Sequence, residues 1–250
     1  MVFDGWMTLL RLNPSIDVDA YARIYAQHKI VQIPDVFEPA SAEALEVAMR
    51  TMPWRMVYQN EKRENILTTP AEFAAMPLLQ RQAIIDGMRR RTARGEFGFT
   101  YLVYPMINAR IANWDPGHPI HRLTDFLNGP EFLSLARRLI QFPALTKVDG
   151  QVSCYRPGDY LSYHRDEGLK SERRAAYTLG FSRAWRPDWG GLLVFHDDNN
   201  NVRTGLTPRF NTLTVFDGMM PHSVTQVASF TPNPRFSVAG WFRDDPPGEF

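Results

Sequence analysis

A chain of 250 residues with 44% apolar and 22% charged side chains can build a full hydrophobic core, in one large or two small domains. The formal net charge of +1 excludes a global field that would draw in nucleic acid or an acidic membrane. No run approaches the roughly 18 apolar residues of a membrane helix, and the single cysteine, Cys154, excludes an intrachain disulfide. Met1 to Trp6 lacks the basic start and apolar run of a secretion signal, so the expected setting is reducing and cytoplasmic.

In chain order, residues 17–29 place Val18, Tyr21, Ile24 and Tyr25 at helical spacing behind Asp17 as N-cap. Residues 30–36 read as a strand and 39–50 as a second helix, with Ser41 available as its cap. Residues 54–60 look extended, and Thr69-Pro70 opens a third helix that Pro77 interrupts before 78–94 resumes it. Arg89, Arg90, Arg91 and Arg94 fit the solvated end of that helix, where cations suit the dipole. Residues 97–104 read as one strand and 130–141 as an amphipathic helix; His118 and His121 read as a loop. Beyond residue 144 the segments 148–155, 175–182, 192–195, 202–206, 211–216, 223–227 and 236–242 are short and strand-like, separated by Gly, Pro, Asp and Asn. With the segment around His164 they make about eight strands. The expectation is an α+β protein with a mainly β core, a jelly roll or double-stranded β-helix, with the N-terminal helices packed on its outside. It is read as one domain, 1–250, in which 1–143 buttresses a catalytic core over 144–243.

The chemistry concentrates in Tyr155 to Asp166. His164 and Asp166 are two apart, so on an extended backbone both point the same way. Two histidines and one carboxylate on one face of a metal leave the opposite positions open, as in non-haem iron oxygenases. His196-Asp197-Asp198 offers a second triplet, but it runs into Asn199-Asn200-Asn201 and reads as a hairpin turn. His222 lies 58 residues after His164, room for four strands before the chain returns beside the first pair, and is the third ligand candidate. Thirteen residues later, Arg235, Ser237, Ala239 and Trp241 share one strand face, an arginine beneath two very small residues. A buried guanidinium requires a carboxylate. Either an acidic cofactor or a structural Asp or Glu meets that need.

Together these residues resemble the 2-oxoglutarate and Fe(II)-dependent oxygenases, in their prolyl-hydroxylase branch, over about residues 130–243. The resemblance rests on His164-x-Asp166, His222 and Arg235-x-Ser237, with support from Arg173 to Leu179, Trp185, Trp189 to Phe195, Asn211 to Phe216 and Val238 to Phe242. Within the branch the likeness is greatest to the catalytic domain of ribosomal-protein prolyl hydroxylases, whose second, degenerate jelly roll this chain is too short to hold. It implies that His164, Asp166 and His222 bind Fe(II), while Arg235 and Ser237 hold the far carboxylate of 2-oxoglutarate and Tyr155 lines that pocket. Trp241 would wall the substrate side, ascorbate would serve as reductant, and the products would be succinate, CO2 and a hydroxylated prolyl residue of a peptide or protein. Two other readings stand: a hydroxylase of another amino acid or small molecule on the same site, and a cupin-type metal sensor without turnover. Trp54, Tyr58, Tyr101, Tyr104 and Arg110 are unranked candidates for the substrate approach. No nucleic-acid partner is expected.

Overall fold

The computed structural model describes residues 10–60, 62–166 and 172–246; Met1 to Trp6, read above for a secretion signal, lie outside the described residues. Helix α1 (Val18–His28) starts where Asp17 accepts a hydrogen bond from the Ala20 N–H. Strand β1 (Ile30–Ile33) leads to α2 (Pro39–Arg50). Ser41 is not its cap. Glu38 occupies that position without a side-chain bond, and Ser41, buried, accepts instead from the Arg11 N–H.

The hairpin β2 (Arg55–Gln59) and β3 (Asn65–Thr68) runs into α3 (Pro70–Ala75) and α4 (Leu78–Ala93). Thr69 and Glu72 close a reciprocal capping box at the start of α3. The segment read as one strand over 97–104 is two, β4 (Phe99–Thr100) and β5 (Leu102–Pro105), which join different sheets across a corner at Tyr101. Helices α5 (Met106–Ile111), α6 (Ile120–Leu127) and α7 (Pro130–Leu139) follow. His121 is therefore helical rather than in a loop, buried in α6 with Nε2–H donating to the Trp114 carbonyl.

After β6 (Lys147–Val148) come the eight strands of the jelly roll. They are β7 (Gln151–Tyr155), β8 (Tyr160–His164), β9 (Arg173–Gly180), β10 (Leu193–His196), β11 (Val202–Leu206), β12 (Thr212–Phe216), β13 (His222–Val224) and β14 (Arg235–Arg243). In order, β12-β9-β14-β7 face β11-β10-β13-β8. The whole count exceeds the eight expected. β1 flanks β12, β6 pairs with β14, and β5, β2 and β3 continue beyond β7, giving a nine-stranded sheet; β4 extends the other to five.

Strand alternation sorts the core into two layers. Leu213, Val215, Leu179, Tyr177, Val238 and Phe242 point outward from the large sheet and are buried with Leu45, Met49, Leu123 and Phe132 of the helices. Each apolar side chain so covered contributes about 1.5–3 kcal/mol. Between the sheets the packing is thinner: Tyr155, Ala176, Leu193, Phe195, Phe216 and Val224 form a small cluster. Small or polar residues at Thr212, Thr214, Thr178 and Ser237 leave the interior unfilled, and a cavity opens there.

Candidate metal and cofactor site

His164 ends β8 and His222 begins β13, and the two are direct partners in the antiparallel register. Their rings lie 4.2 Å apart between centroids. Asp166 follows two residues beyond His164, where its N–H donates to the Gly218 carbonyl at 2.8 Å. The loop can approach because residue 218 has no side chain: a Cβ there would stand 2.9 Å from the Asp166 Cβ. One ligand atom from each of His164, Asp166 and His222 lies within 4.8 Å of the others. His164 Nε2 is 3.4 Å from Asp166 Oδ1 and His222 Nε2 is 3.5 Å from Oδ2.

Both imidazoles are held by their other nitrogen. His164 Nδ1 bonds to the Ser162 carbonyl and His222 Nδ1 to the Met220 carbonyl, each at 2.9 Å. A carbonyl only accepts, so Nδ1 carries the proton and each Nε2 turns its lone pair toward Asp166. Burial pushes His222 down to about 4, leaving it neutral at pH 7. Burial also pushes the Asp166 carboxyl upward, but in the acid range where it titrates, hydrogen bonding from the protonated His164 ring and the field of protonated His222 outweigh burial and hold it below the ordinary value. Two neutral imidazoles and a carboxylate on one side of a point form a donor set fitted to a divalent ion such as Fe(II), with the opposite side facing the cavity.

Arg235 starts β14 on the cavity's inner wall. It is 5% exposed, and among the described residues its Nε and Nη1 have no hydrogen-bond partner. Burial draws its pKa below the usual guanidinium range. No carboxylate pairs with it among the described residues; the Tyr155 ring lies 5.0 Å from the guanidinium. Ser237, two residues on, lines the same wall and lies 3.3 Å, Oγ to Oγ, from Ser153. Behind the guanidinium, Gly191 (φ +63°) gives room, since a Cβ there would meet Arg235 Cδ and Trp185 at 3.3 Å. An unpaired, preplaced cation fits an acid that enters from the cavity.

The cavity, of about 410 Å³, holds His164, Asp166, His222, Arg235, Ser237, Tyr155 and Trp241 on one continuous lining. Trp241 carries a buried indole N–H that comes close to Asp166 without closing a hydrogen bond. The rival His196 stands next to Phe195, the register partner of His222, but the pleat turns it to the far face, where Nε2 meets Ser223 Oγ at 3.0 Å. Asp197 accepts from the Asn199 and Asn201 N–H groups and closes the β10–β11 turn.

Of the unranked aromatics, Tyr101 alone enters the cavity, its ring tilted against that of Tyr155 at 5.0 Å and its hydroxyl accepting from Gln151. Trp54 stacks on Phe236, Tyr58 packs on Phe73, Tyr104 bonds Asp115, and Arg110 pairs with Asp125 on the surface. Phe97 and Arg173 also line the cavity, though neither stands out as a site residue in the sequence. Phe97 packs 5.1 Å from the His164 ring, and the Arg173 guanidinium lies 3.7 Å over the Trp241 ring. The Arg173 match to the resemblance was a signal; nothing local marked Phe97.

Residues 150–243 match the model of the 2OG-Fe(II) oxygenase superfamily. No curated protein matches the chain. Among solved structures, it is similar to a prolyl-4-hydroxylase of Pseudomonas putida, at 20% identity over 91% of this chain and 99% of that one, with a TM-score of 0.54. A 2OG-Fe(II) oxygenase family oxidoreductase of Burkholderia pseudomallei aligns at 13% identity over 94% and 93%, with a TM-score of 0.60. A prolyl hydroxylase of Trichoplax adhaerens, in complex with a hypoxia inducible factor peptide fragment, aligns at 14% over 91% and 89%, also at 0.60. At such identities these likenesses establish the jelly-roll fold.

Proposed function

We propose that this protein, which through residues 150–243 belongs to the 2OG-Fe(II) oxygenase superfamily and is a dioxygenase of that kind, hydroxylates a prolyl residue in a peptide or protein. The observation that carries the reading is the buried Arg235 with two guanidinium nitrogens unpartnered among the described residues, set in the same cavity as the His164, Asp166 and His222 cluster. A cupin-type sensor has no use for a desolvated cation facing its metal.

In this reading His164 and His222 hold Fe(II) through Nε2, and Asp166 adds the negative charge that favours a divalent ion. When bound, Fe(II) and 2-oxoglutarate supply the oxidising chemistry, in which the keto acid and O2 yield succinate and CO2 and one oxygen atom enters a substrate C–H bond. The protein's part is placement. The Ser162 and Met220 carbonyls fix the imidazole orientations, so the metal face does not reorganise. Arg235 draws the far carboxylate of 2-oxoglutarate to the inner wall through paired N–H donors, and Ser237 offers a further hydroxyl. Leu161, Leu193, Phe216 and Val224 keep the wall apolar and exclude water.

The prolyl target rests on fold likeness to prolyl hydroxylases and on Trp241, Tyr101 and Phe97, flat walls against which a pyrrolidine ring packs well. Ascorbate serves as the reductant that keeps the metal ferrous, and the lone cysteine suits a reducing, cytoplasmic setting. The test is incubation of the protein with Fe(II), 2-oxoglutarate, ascorbate and a library of proline-containing peptides, followed by mass spectrometry. The reading predicts 2-oxoglutarate-dependent gain of one oxygen atom on proline, matched by succinate. Oxygen insertion confined to other residues would replace the prolyl assignment.

A further inference from the structure

We infer that the arginine-rich end of α4 is a docking platform for an acidic stretch of the polypeptide substrate. The inference rests on the reading above of a peptide or protein oxygenase and adds what recognises the chain around the target. Residues 55–97 do not belong to the jelly roll's own core. They close around a separate small cluster of Tyr58, Phe73 and Met88, padded by Met56, Ile66, Ile84 and Ile85. This appended unit joins the large sheet through β2 and β5. It meets the metal-bearing β8 where Thr92 Oγ1 bonds the Tyr160 hydroxyl at 2.8 Å.

Its exposed end is strongly cationic. Between residues 87 and 97 four arginines stand against one glutamate, on a chain whose total charge is only +1. Arg91 donates to the Gln59 carbonyl, and Arg94 and Arg63 share Glu96. Arg90 and Arg91 lie in the last turn of the helix, where their charges suit its dipole. Arg89 and Arg90 are exposed and form no ion pair among the described residues. Met88 and Thr92 turn inward on the same helix, so the two free arginines point away from the packing face.

From this end of α4 the chain leads to the cavity. Phe97, three residues past Arg94, packs on His164 and lines the cavity, and Asn65 at the start of β3 also lines it. From Tyr160, which touches α4, to His164 is one strand, about 13 Å of extended backbone. A substrate seated with its target residue at the metal would thus carry its acidic residues about four or more positions away. The low total charge disfavours a nucleic-acid partner, which needs a broad positive face.

The test uses the full-length protein loaded with Mn(II) and 2-oxoglutarate, which binds without turnover, and fluorescent peptides holding one central proline. One peptide carries a run of Asp and Glu starting four residues from the proline; its control carries Gln and Ser there. Fluorescence anisotropy should show the acidic peptide binding about tenfold tighter, with the advantage fading as salt rises. Arg89→Glu with Arg90→Glu should erase the preference, and the paired Arg→Lys variant should keep it, both melting like the wild type. Equal binding of the two peptides, or a preference untouched by the charge reversal, would overturn the inference. So would an RNA oligomer of equal charge outcompeting the acidic peptide. Under turnover with Fe(II) the two readings separate. Equal hydroxylation of proline in both peptides removes the platform and keeps the prolyl reading. Preferential oxidation of the acidic peptide at another residue does the reverse.

Discussion

Replacing Arg235 with Met should make the cofactor-free protein more stable and the cofactor-bound protein less so. Arg235 is buried with Nε and Nη1 unpartnered, and its compensation is the Tyr155 ring 5.0 Å away. Replacing even a buried ion pair by well-packed apolar residues is often neutral or stabilising by about 1–4 kcal/mol, and Arg235 has no such partner among the described residues. The lost cation–π contact takes back about 0.5–2 kcal/mol. A net gain of about 1 kcal/mol should raise Tm by about 2–4 °C in a protein of this size. For the wild type, 2-oxoglutarate at about 100 times its Kd adds about 2.7 kcal/mol. Losing at least about 2 kcal/mol of a buried charge pair weakens Kd by about 30-fold, so the same concentration stabilises Arg235→Met by less than about 1 kcal/mol. Thermal melts of both proteins with Mn(II), with and without 2-oxoglutarate, read both effects at once. A variant that melts well below the wild type without 2-oxoglutarate, yet keeps the full 2-oxoglutarate shift, would refute the reasoning.

His222 sits at about 4 in the fold against an ordinary 6.5, so between those pH values the unfolded chain binds the extra proton. Its contribution to metal-free stability is therefore complete above pH 6.5 and fades as pH falls toward 4, by up to about 3 kcal/mol. Denaturant unfolding of His222→Gln should lose roughly one proton's slope in that window relative to the wild type; parallel curves would contradict this. Gly218→Ala would drive a Cβ to 2.9 Å from Asp166 and displace the carboxylate. Metal affinity, measured by titration, should fall about 10- to 100-fold, and an unchanged affinity would show that the loop relaxes freely.

The site was legible because its signals are local and short in period. His164-x-Asp166 follows from alternation at a strand end, and Arg235-x-Ser237 from an arginine set among small residues on a cavity-facing strand. Spacing to His222 argues against His196 in the sequence; in the structure a different feature sets it apart from the cluster. β10 pairs directly with β13, so His196 is close by; the pleat, by one residue, turns it away. What stayed hidden depends on distant pairing. Nothing near residue 101 announces that β4 and β5 part into two sheets, because the corner is fixed by β8 on one side and β7 on the other. The short α5 and α6 were masked by Pro105, Pro116, Gly117 and Pro119, which read as breakers but serve as their starts and linkers. The enlargement of the large sheet to nine strands likewise comes from N-terminal segments finding partners far along the chain.

Calorimetric titration of Mn(II) into the protein tests the central assignment most directly. One ion per chain should bind to the wild type and to His196→Ala, and binding should vanish in each of His164→Ala, Asp166→Ala and His222→Ala while their melting stays cooperative. Retained binding in any of those three folded variants, or its loss in His196→Ala, would contradict the account.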